Sequence, residues 1–479
     1  MSDFSKIRKN TFYSIITISS RLIANVFLFW LLARFYGPKI FGQFTFAHTL
    51  ATTFIVFADF GIEILLTTKL AAEKGNSSKI FEKLLGLKFT FLLFALIFMI
   101  LIGLSFELSD ESYILIFVFA VYLLFTSLNN FFAGVFKGYE KFIYETRVSL
   151  LSNFLLIALT ISLLLLHRSI IEIAVAFASS RIIGTIYSIY NLYRLDKELT
   201  FKPDLSGFKL LGSKVLIFGF HLIFAYLFFQ IDTLLLAKFK GDYSVGIYQS
   251  VFKLVMLPLV IPDVFINSFL PTLSRYFSED KKEWIRLGSI MGRILFICAL
   301  PISVIMVFYS KEIINLVYGL KNYSDAVDVF RVFGLIILVR FTLEPFALML
   351  TTSDRQIVRL ITVIAATILN VTLNYFVIPV YDTLGASVVS LTVNTFVGII
   401  YFTVLKDDFN FWLVNLKNLF ALLTVFLIGF LFYELVNLNF LIEVMMILII
   451  ISVAGYKFYI TNSEKEILKS FIRRLNFLS

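Results

Sequence analysis

Uninterrupted apolar runs recur along the whole chain, and residues 89–104 and 440–455 are two of them. A helix needs about twenty apolar residues to cross roughly 30 Å of hydrocarbon, whereas barrel strands show about ten residues of alternating polarity. These runs do not alternate. Because 59% of the 479 residues are hydrophobic and only 15% are charged, no soluble core would take up the apolar surface. Backbone groups in lipid must be paired within each element, so the sequence predicts an all-α polytopic membrane protein.

The apolar runs predict about fourteen spanning helices joined by short outer loops. Most of the 42 Lys and Arg residues fall in alternate loops and near both ends, which indicates that those loops and both termini are cytoplasmic. Although the net charge is +10, basic residues that are spread over alternate loops indicate the orientation of the chain in a membrane rather than a nucleic-acid-binding surface. The spans are predicted near residues 11–33, 42–66, 86–106, 113–136, 143–166, 171–193, 214–237, 245–271, 289–309, 327–352, 357–379, 383–405, 412–434 and 439–459.

Part of the sequence is repeated at an offset of 204 residues. Residues 31–44 align without gaps on residues 235–248, and the alignment pairs Gly37 with Gly241 and Gly42 with Gly246. Both copies lie between the first two spans of a six-span block, which indicates parallel repeats. The glycines suit a tight turn between helices. We expect an N-terminal six-helix lobe at residues 1–195 and a C-terminal six-helix lobe at residues 214–405, joined by a cytoplasmic linker at residues 196–213. Two extra helices and an amphipathic cytoplasmic tail follow at residues 406–479.

Several basic residues fall inside the predicted spans. A charge in mid-bilayer costs at least a few kcal/mol, so such residues face a cavity or a partner. Arg21, Arg181 and Lys253 therefore line a cavity or take part in structural ion pairs. Arg340 and Glu344 are four residues apart on one helical face, which favours an internal ion pair, and cavity lining by Arg340 stays open.

Acidic and amide residues inside the spans suggest two further roles. Asp59 and Glu63 pair with Arg21 or Arg181, or simply meet the membrane interface. Other oxygen-bearing side chains suit a sodium ion or, at a buried Asp, a proton. The alternative is that they hold helices together by hydrogen bonds. These coupling-ion candidates are Asp232, Asn370, Asn374 and Ser390.

Motifs for other chemistry are missing from the sequence. It contains no Gly-rich ATP-binding loop, and His48, His167 and His221 have no metal-ligand spacing. Its single cysteine, Cys298, excludes a disulfide framework. We therefore expect neither an enzyme nor a cofactor-dependent protein, and no metal beyond a coupling sodium. Transport energy then comes from sodium, protons, the membrane potential or the substrate gradient.

Several short segments, taken in order, resemble one transporter family. The chain is similar to Wzx-type flippases for polysaccharide and O-antigen repeat units, within the multidrug/oligosaccharidyl-lipid/polysaccharide exporter superfamily. The similarity runs through the first twelve predicted spans. The residues that carry it are Asn10, Arg21, and those at 31–47, 59–62, 132–139, 245–248, 369–374, 378–379 and 384–386.

The resemblance implies a V-shaped fold of two lobes, like that of multidrug exporters, in the cell membrane. It further implies a cationic cavity in which Arg21, Arg181 and Lys253 neutralise the diphosphate of a polyprenyl-linked oligosaccharide while the lipid tail stays in the bilayer. Membrane lipids and other polysaccharide-assembly membrane proteins are the implied partners. In related lipid II flippases a span-seven Asp and a span-eleven polar pair hold sodium. Asp232 occupies the first of those places here, and Asn370 and Asn374 occupy the second, with asparagine where that relative has an acid.

Two other functions compete with a flippase. An ion-coupled multidrug or small-molecule exporter of the same superfamily needs an acidic cavity, which the mid-span Arg and Lys residues disfavour. A membrane-embedded glycan polymerase or ligase needs a sizeable outer loop with catalytic residues, and the predicted outer loops are short.

Overall fold

The fold is helical throughout the part of the chain that can be described. The computed structural model describes residues 3–72, 76–407, 416–436, 438–455 and 457, and these contain helices, turns and no strand. This confirms the predicted fold class. The predicted amphipathic tail, residues 464–479, lies outside the described residues. Contacts divide the chain into two compact units, Met1–Gly246 and Ile247–Ser479, and the lobe boundaries given above stay a prediction.

The first unit is a bundle in which α1, α4, α5 and α6 pack on one another and α2 and α3 pack on α4. Serines at helix starts accept hydrogen bonds from free backbone N–H groups: Ser109 caps α4, and Ser169 forms a capping box with Glu172 at α6. The helices of this unit are α1 (Asp3–Asp59), α2 (Ile62–Ala72), α3 (Ser77–Leu104), α4 (Asp110–Gly138), α5 (Phe142–Leu165), α6 (Ile170–Leu195), a 3-10 helix (Leu205–Leu210), α7 (Ser213–Phe239) and the start of α8 (Asp242–Val255).

The repeated glycines Gly37 and Gly241 both have a positive φ. Gly37 breaks α1 with a φ of 74°, and Gly241, between α7 and α8, has a φ of 83°. Residues with a Cβ rarely enter this left-handed region, whereas glycine does so at little cost. The helix-to-helix turn predicted from the repeat is thus present in both copies.

The second unit is built around α10, most of which is buried. Helices α9, α13, α15 and α16 pack on α10, and α14 packs on α13. The indole N–H of Trp284 on α10 donates a buried hydrogen bond of 2.9 Å to Thr352 at the end of α13. The remaining helices are α9 (Val260–Glu279), α10 (Lys281–Phe308), α11 (Ser310–Val317), α12 (Leu320–Tyr323), α13 (Ala326–Thr352), α14 (Gln356–Leu405), α15 (Leu416–Leu435) and α16 (Phe440–Ala454).

Helix length and composition support a multi-pass membrane protein. Nine helical stretches of the described chain are long and apolar enough to cross a membrane, or ten if the bent pair α8 and α9 forms one span. Two of them, Lys9–Ala72 and Gln356–Leu405, contain 64 and 50 residues, which is enough for two crossings each, and they are broken at Gly37 and Asp382. With the shorter apolar helices α15 and α16, the described residues are compatible with fourteen spans, a number that stays a prediction.

Candidate functional site: a polar cavity in the first unit

A polar cavity of about 160 Å³ lies inside the first unit. It is formed by α1, α4, α5 and α6, and two of the four predicted substrate-binding residues, Arg21 and Arg181, line it together. Most of its other polar lining residues carry amide or hydroxyl groups. The lining residues are Arg21, Asn25, Tyr122, Thr126, Asn129, Asn130, Ala133, Phe136, Glu145, Val148, Ser149, Ser152, Arg181 and Ser188.

Arg21 reaches the cavity from the middle of the first predicted span. Its Nη2 lies 3.4 Å from Glu145 Oε1, and its Nε donates to the Ser149 hydroxyl at 3.4 Å. The side chain is still 44% exposed. Both contacts are at the long end of hydrogen-bond range, so Arg21 keeps donor capacity for another acceptor.

Arg181 enters the same cavity from α6. Its guanidinium carbon lies 5.6 Å from the centre of the Tyr122 ring, a cation–π distance. Asn129 holds the backbone by donating to the Arg181 carbonyl at 3.1 Å. The buried Nε of Arg181 has no hydrogen-bond partner among the described residues. An unpaired buried donor is costly, so the Arg181 side chain has a donor that no described residue satisfies.

Glu145 connects the cavity to a chain of alternating charges. Its Oε1 lies 3.4 Å from Lys137 Nζ as well as from Arg21, and Lys137 lies 2.8 Å from Glu63. Glu63 was predicted to pair with Arg21 or Arg181, or to meet the interface. In the structure it pairs with Lys137 instead. The sequence did not single out Glu145 or Lys137 as site residues. Each stands in an end turn of its helix, where local sequence alone suggests an interfacial charge.

Asp59, the other predicted charge partner, belongs to a second polar cluster beside the cavity. It forms an ion pair with Lys88 of α3, whose side chain is 1% exposed. Lys88 also donates to Ser127 and to the Ala58 carbonyl. Asn130, which lines the cavity, donates to Asp59 Oδ2 at 2.8 Å. The sequence did not single out Lys88 because it lies at the start of the span predicted at residues 86–106, next to a basic segment that was predicted to be cytoplasmic.

Two other predicted residues, Asp232 and Lys253, lie on α7 and α8. Asp232 is almost completely buried in the first unit, and Lys253 is half-buried in the second unit. Both take part in polar or electrostatic interactions. Their role in binding stays a prediction.

The other predicted residues belong to the second unit. Arg340 and Glu344 form the ion pair expected from their spacing, at 3.9 Å, with side chains 17% and 24% exposed. Asn374 Nδ2 donates to Asn370 Oδ1 at 2.7 Å, and both side chains are buried. The Ser390 carbonyl accepts from Asn394 at 2.8 Å. The structure thus brings Asn370 and Asn374 together through one amide oxygen, and a role in ion binding stays a prediction.

No cluster of three or more His, Cys, Asp or Glu side chains suited to a metal ion occurs within the described ranges. The polar cavity offers hydrogen-bond donors and charged side chains. Such a site binds and orients a ligand by electrostatics.

The fold is shared with known membrane transporters. A structure of the lipid II flippase MurJ in an inward closed conformation matches 93% of this chain and 98% of its own, with a TM-score of 0.74 and 16% identity. An inward-facing multidrug resistance MATE family transporter matches 82% and 97%, with a TM-score of 0.67 and 15% identity. A transporter from Pyrococcus furiosus, described as having a binding pocket of reverse polarity, matches 84% and 94%, with a TM-score of 0.59 and 16% identity. No curated protein sequence matches significantly.

The fold is that of helical membrane transporters such as MurJ and the MATE family, and two family models match the sequence. The family model for polysaccharide biosynthesis proteins matches residues 7–277, and the model for MatE proteins matches residues 218–376. Because the first match covers more than half of the chain, the protein belongs to the polysaccharide biosynthesis protein family.

Proposed function

We propose that this protein moves a polyprenyl-diphosphate-linked oligosaccharide from the cytoplasmic to the outer leaflet of the cell membrane by alternating access. The observation that carries the proposal is the convergence of Arg21 and Arg181 on one polar cavity. The family match to polysaccharide biosynthesis proteins supports the sugar part of the substrate. The fold likeness to a protein named as a lipid II flippase supports a lipid-linked substrate.

The charges of the cavity favour an anionic ligand. Its lining contains two guanidinium groups and one carboxylate, Glu145. Guanidinium groups bind phosphate through strong charge-assisted hydrogen bonds, and a region of low dielectric strengthens them. The amides of Asn25, Asn129 and Asn130 match the hydroxyl groups of a sugar.

The proposed cycle uses the predicted two-lobe arrangement with both termini in the cytoplasm. The repeated turns at Gly37 and Gly241 support a chain made of two related halves. In this cycle the lobes at residues 1–195 and 214–405 rock about the bound headgroup. The lipid tail remains in the bilayer, so only the polar headgroup needs a path through the protein.

Reconstitution in vesicles with a fluorescent polyprenyl-diphosphate sugar tests this function. Hydrogen bonds to charged groups contribute roughly 1.5–3 kcal/mol each, so we expect the Arg21→Ala, Arg181→Ala double variant to flip the headgroup at least about a hundredfold more slowly than the wild type. Arg275→Ala is the matched control, because Arg275 lies on α9 with its side chain 59% exposed. Equal rates for the double variant and the control would contradict the proposal.

Sodium or a proton is the proposed coupling ion. Its proposed ligands or carriers are Asp232, Asn370, Asn374 and Ser390. The buried hydrogen bond between the amides of Asn370 and Asn374 supports this choice. Imposing a sodium gradient and a pH gradient separately on the vesicles identifies the ion. If flipping by Asn370→Ala, Asn374→Ala responds to either gradient as strongly as wild-type flipping does, this amide pair does not couple the ion.

A multidrug exporter of the same superfamily is the second candidate function. The MatE match over residues 218–376 favours it. Such a protein would export a cationic dye such as ethidium from vesicles, and the Arg21→Ala, Arg181→Ala variant would not lose that activity. Dye export by the wild type without flipping of the lipid-linked sugar would select this candidate.

A further inference from the structure

Glu145 places a negative charge in a cavity to which the proposed function assigns an anionic ligand. We propose that Glu145 is a resident counter-ion for Arg21 that competes with the phosphate of the substrate, and that Lys137 holds Glu145 when the substrate is bound. The inference rests on the proposed function and adds to it a residue that controls loading and release.

The geometry places Glu145 between two bases. A single oxygen, Oε1, lies 3.4 Å from Arg21 Nη2 and 3.4 Å from Lys137 Nζ. Both distances exceed those of tight charge-assisted hydrogen bonds, which are about 2.7–2.9 Å. A rotation of the carboxylate therefore tightens one contact at the expense of the other.

The surroundings hold the Glu145 side chain in place. The side chain is 6% exposed and lies in the first turn of α5, where the free N–H groups of a helix start stabilise negative charge. Lys137 has a second acid, Glu63, at 2.8 Å, so Lys137 stays near the cavity whichever partner Glu145 takes. Arg21 is the most exposed member of the set, and an incoming phosphate reaches it first.

This arrangement has two opposite consequences for transport. While Glu145 faces Arg21, it neutralises one of the two guanidinium groups that line the cavity and repels an incoming phosphate. When it returns to Arg21 after the substrate has moved, it displaces the phosphate and speeds release. Removing its charge should therefore strengthen binding and slow turnover, whereas a merely structural defect would weaken both.

Binding of radiolabelled farnesyl diphosphate to the full chain in detergent tests the inference. We expect Glu145→Gln to bind the probe about tenfold more tightly than the wild type, since it removes a like charge a few ångströms from the phosphate, and to flip the polyprenyl-diphosphate sugar more slowly. Glu145→Asp should lie between the two. Glu279→Gln is the matched control, because Glu279 also pairs with an arginine, Arg275, but is 60% exposed on α9. Equal or weaker binding by Glu145→Gln would overturn the inference.

A double-mutant cycle provides a test that does not depend on one variant alone. Lys137→Met should weaken binding of farnesyl diphosphate in the wild-type background, because Glu145 then turns fully to Arg21. In the Glu145→Gln background most of that weakening should vanish, since the two residues act on binding as a coupled pair. An equal loss in both backgrounds would show that Lys137 acts without Glu145 and would overturn the inference.

Failure of the inference is distinguishable from failure of the proposed function. If the wild type flips the lipid-linked sugar and needs Arg21, but Glu145→Gln binds the probe no better, only the counter-ion role is wrong. If the wild type does not flip the lipid-linked sugar at all, the proposed function is wrong, whatever Glu145→Gln does to probe binding.

Discussion

Gly42 and Gly246, which the repeat aligns at an offset of 204 residues, pack against each other's segment of backbone. A Cβ atom on Gly42 would lie 2.9 Å from the Gly246 nitrogen and would overlap the Asp242 carbonyl, while one on Gly246 would overlap the Pro38 carbonyl. Pro38 and Asp242 also occupy equivalent positions of the repeat. The contact is therefore reciprocal, as at a two-fold interface. It is possible only because glycine has no Cβ atom at either position.

Alanine at Gly42 or Gly246 should open this backbone contact. The clashing atoms are backbone atoms, so relaxation is limited, and overpacking of this kind costs about 1–3 kcal/mol. We expect an apparent melting temperature several degrees below the wild type and slower flipping for each variant. Gly212→Ala is the control, because a Cβ there meets nothing within 4 Å. Wild-type melting of both variants would contradict the close contact.

The pair formed by Lys88 and Asp59 should be an important contribution to the stability of the first unit. Lys88→Ala leaves the Asp59 carboxylate without its buried base, and breaking such a pair costs about 3 kcal/mol. Thermal unfolding in detergent should show the lower stability. Because Lys88→Met with Asp59→Asn removes both charges, this double variant should recover much of the loss. A double variant no more stable than Lys88→Ala would contradict an energetic role for the pair.

Tyr309 should help to hold α16 against α10 through a buried acid. The Tyr309 hydroxyl donates to Glu443 Oε2 at 2.8 Å, and the Leu438 backbone N–H donates to Oε1 at 2.8 Å. Tyr309→Phe deprives the 5% exposed Glu443 of one donor, at a cost of about 1–3 kcal/mol. The apparent melting temperature should fall by a few degrees. Tyr381→Phe, at a side chain that is 64% exposed, should leave it unchanged, and equal effects would contradict the prediction.

Tyr139, just after the end of α4, should stabilise the folded protein at neutral pH and lose this effect at alkaline pH. Burial, with the hydrogen bond to Asp196 as the next cause, raises the pKa of Tyr139 from 10.0 to about 12. A group with a higher pKa in the folded state stabilises that state fully below its unfolded pKa, and the contribution is lost as pH rises through its folded pKa. The stability advantage of the wild type over Tyr139→Phe should therefore disappear between about pH 10 and pH 12. Melting temperatures measured across this window check it, and a constant difference would contradict the pKa shift.

The sequence predicted those parts of the structure that depend on local pattern. Helices follow from apolar runs in lipid, and the turns at Gly37 and Gly241 follow from glycines at equivalent repeat positions. The cost of charge in a membrane singled out Arg21 and Arg181, which the structure places in one cavity. The four-residue spacing of Arg340 and Glu344 likewise predicted their ion pair.

Only the tertiary structure decided which charges meet. The sequence predicts that Asp59 and Glu63 pair with Arg21 or Arg181 or meet the membrane interface, yet Asp59 pairs with Lys88 and Glu63 with Lys137. Arg21 instead faces Glu145, which is 124 residues away along the chain. Helical periodicity tells which residues share a face, but an ion pair between helices depends on which faces pack together and at what height. The sequence by itself therefore determined a helical membrane protein with arginines inside its predicted spans, and the packing of α1, α4, α5 and α6 decided that Arg21 and Arg181 share a cavity with one acid, Glu145.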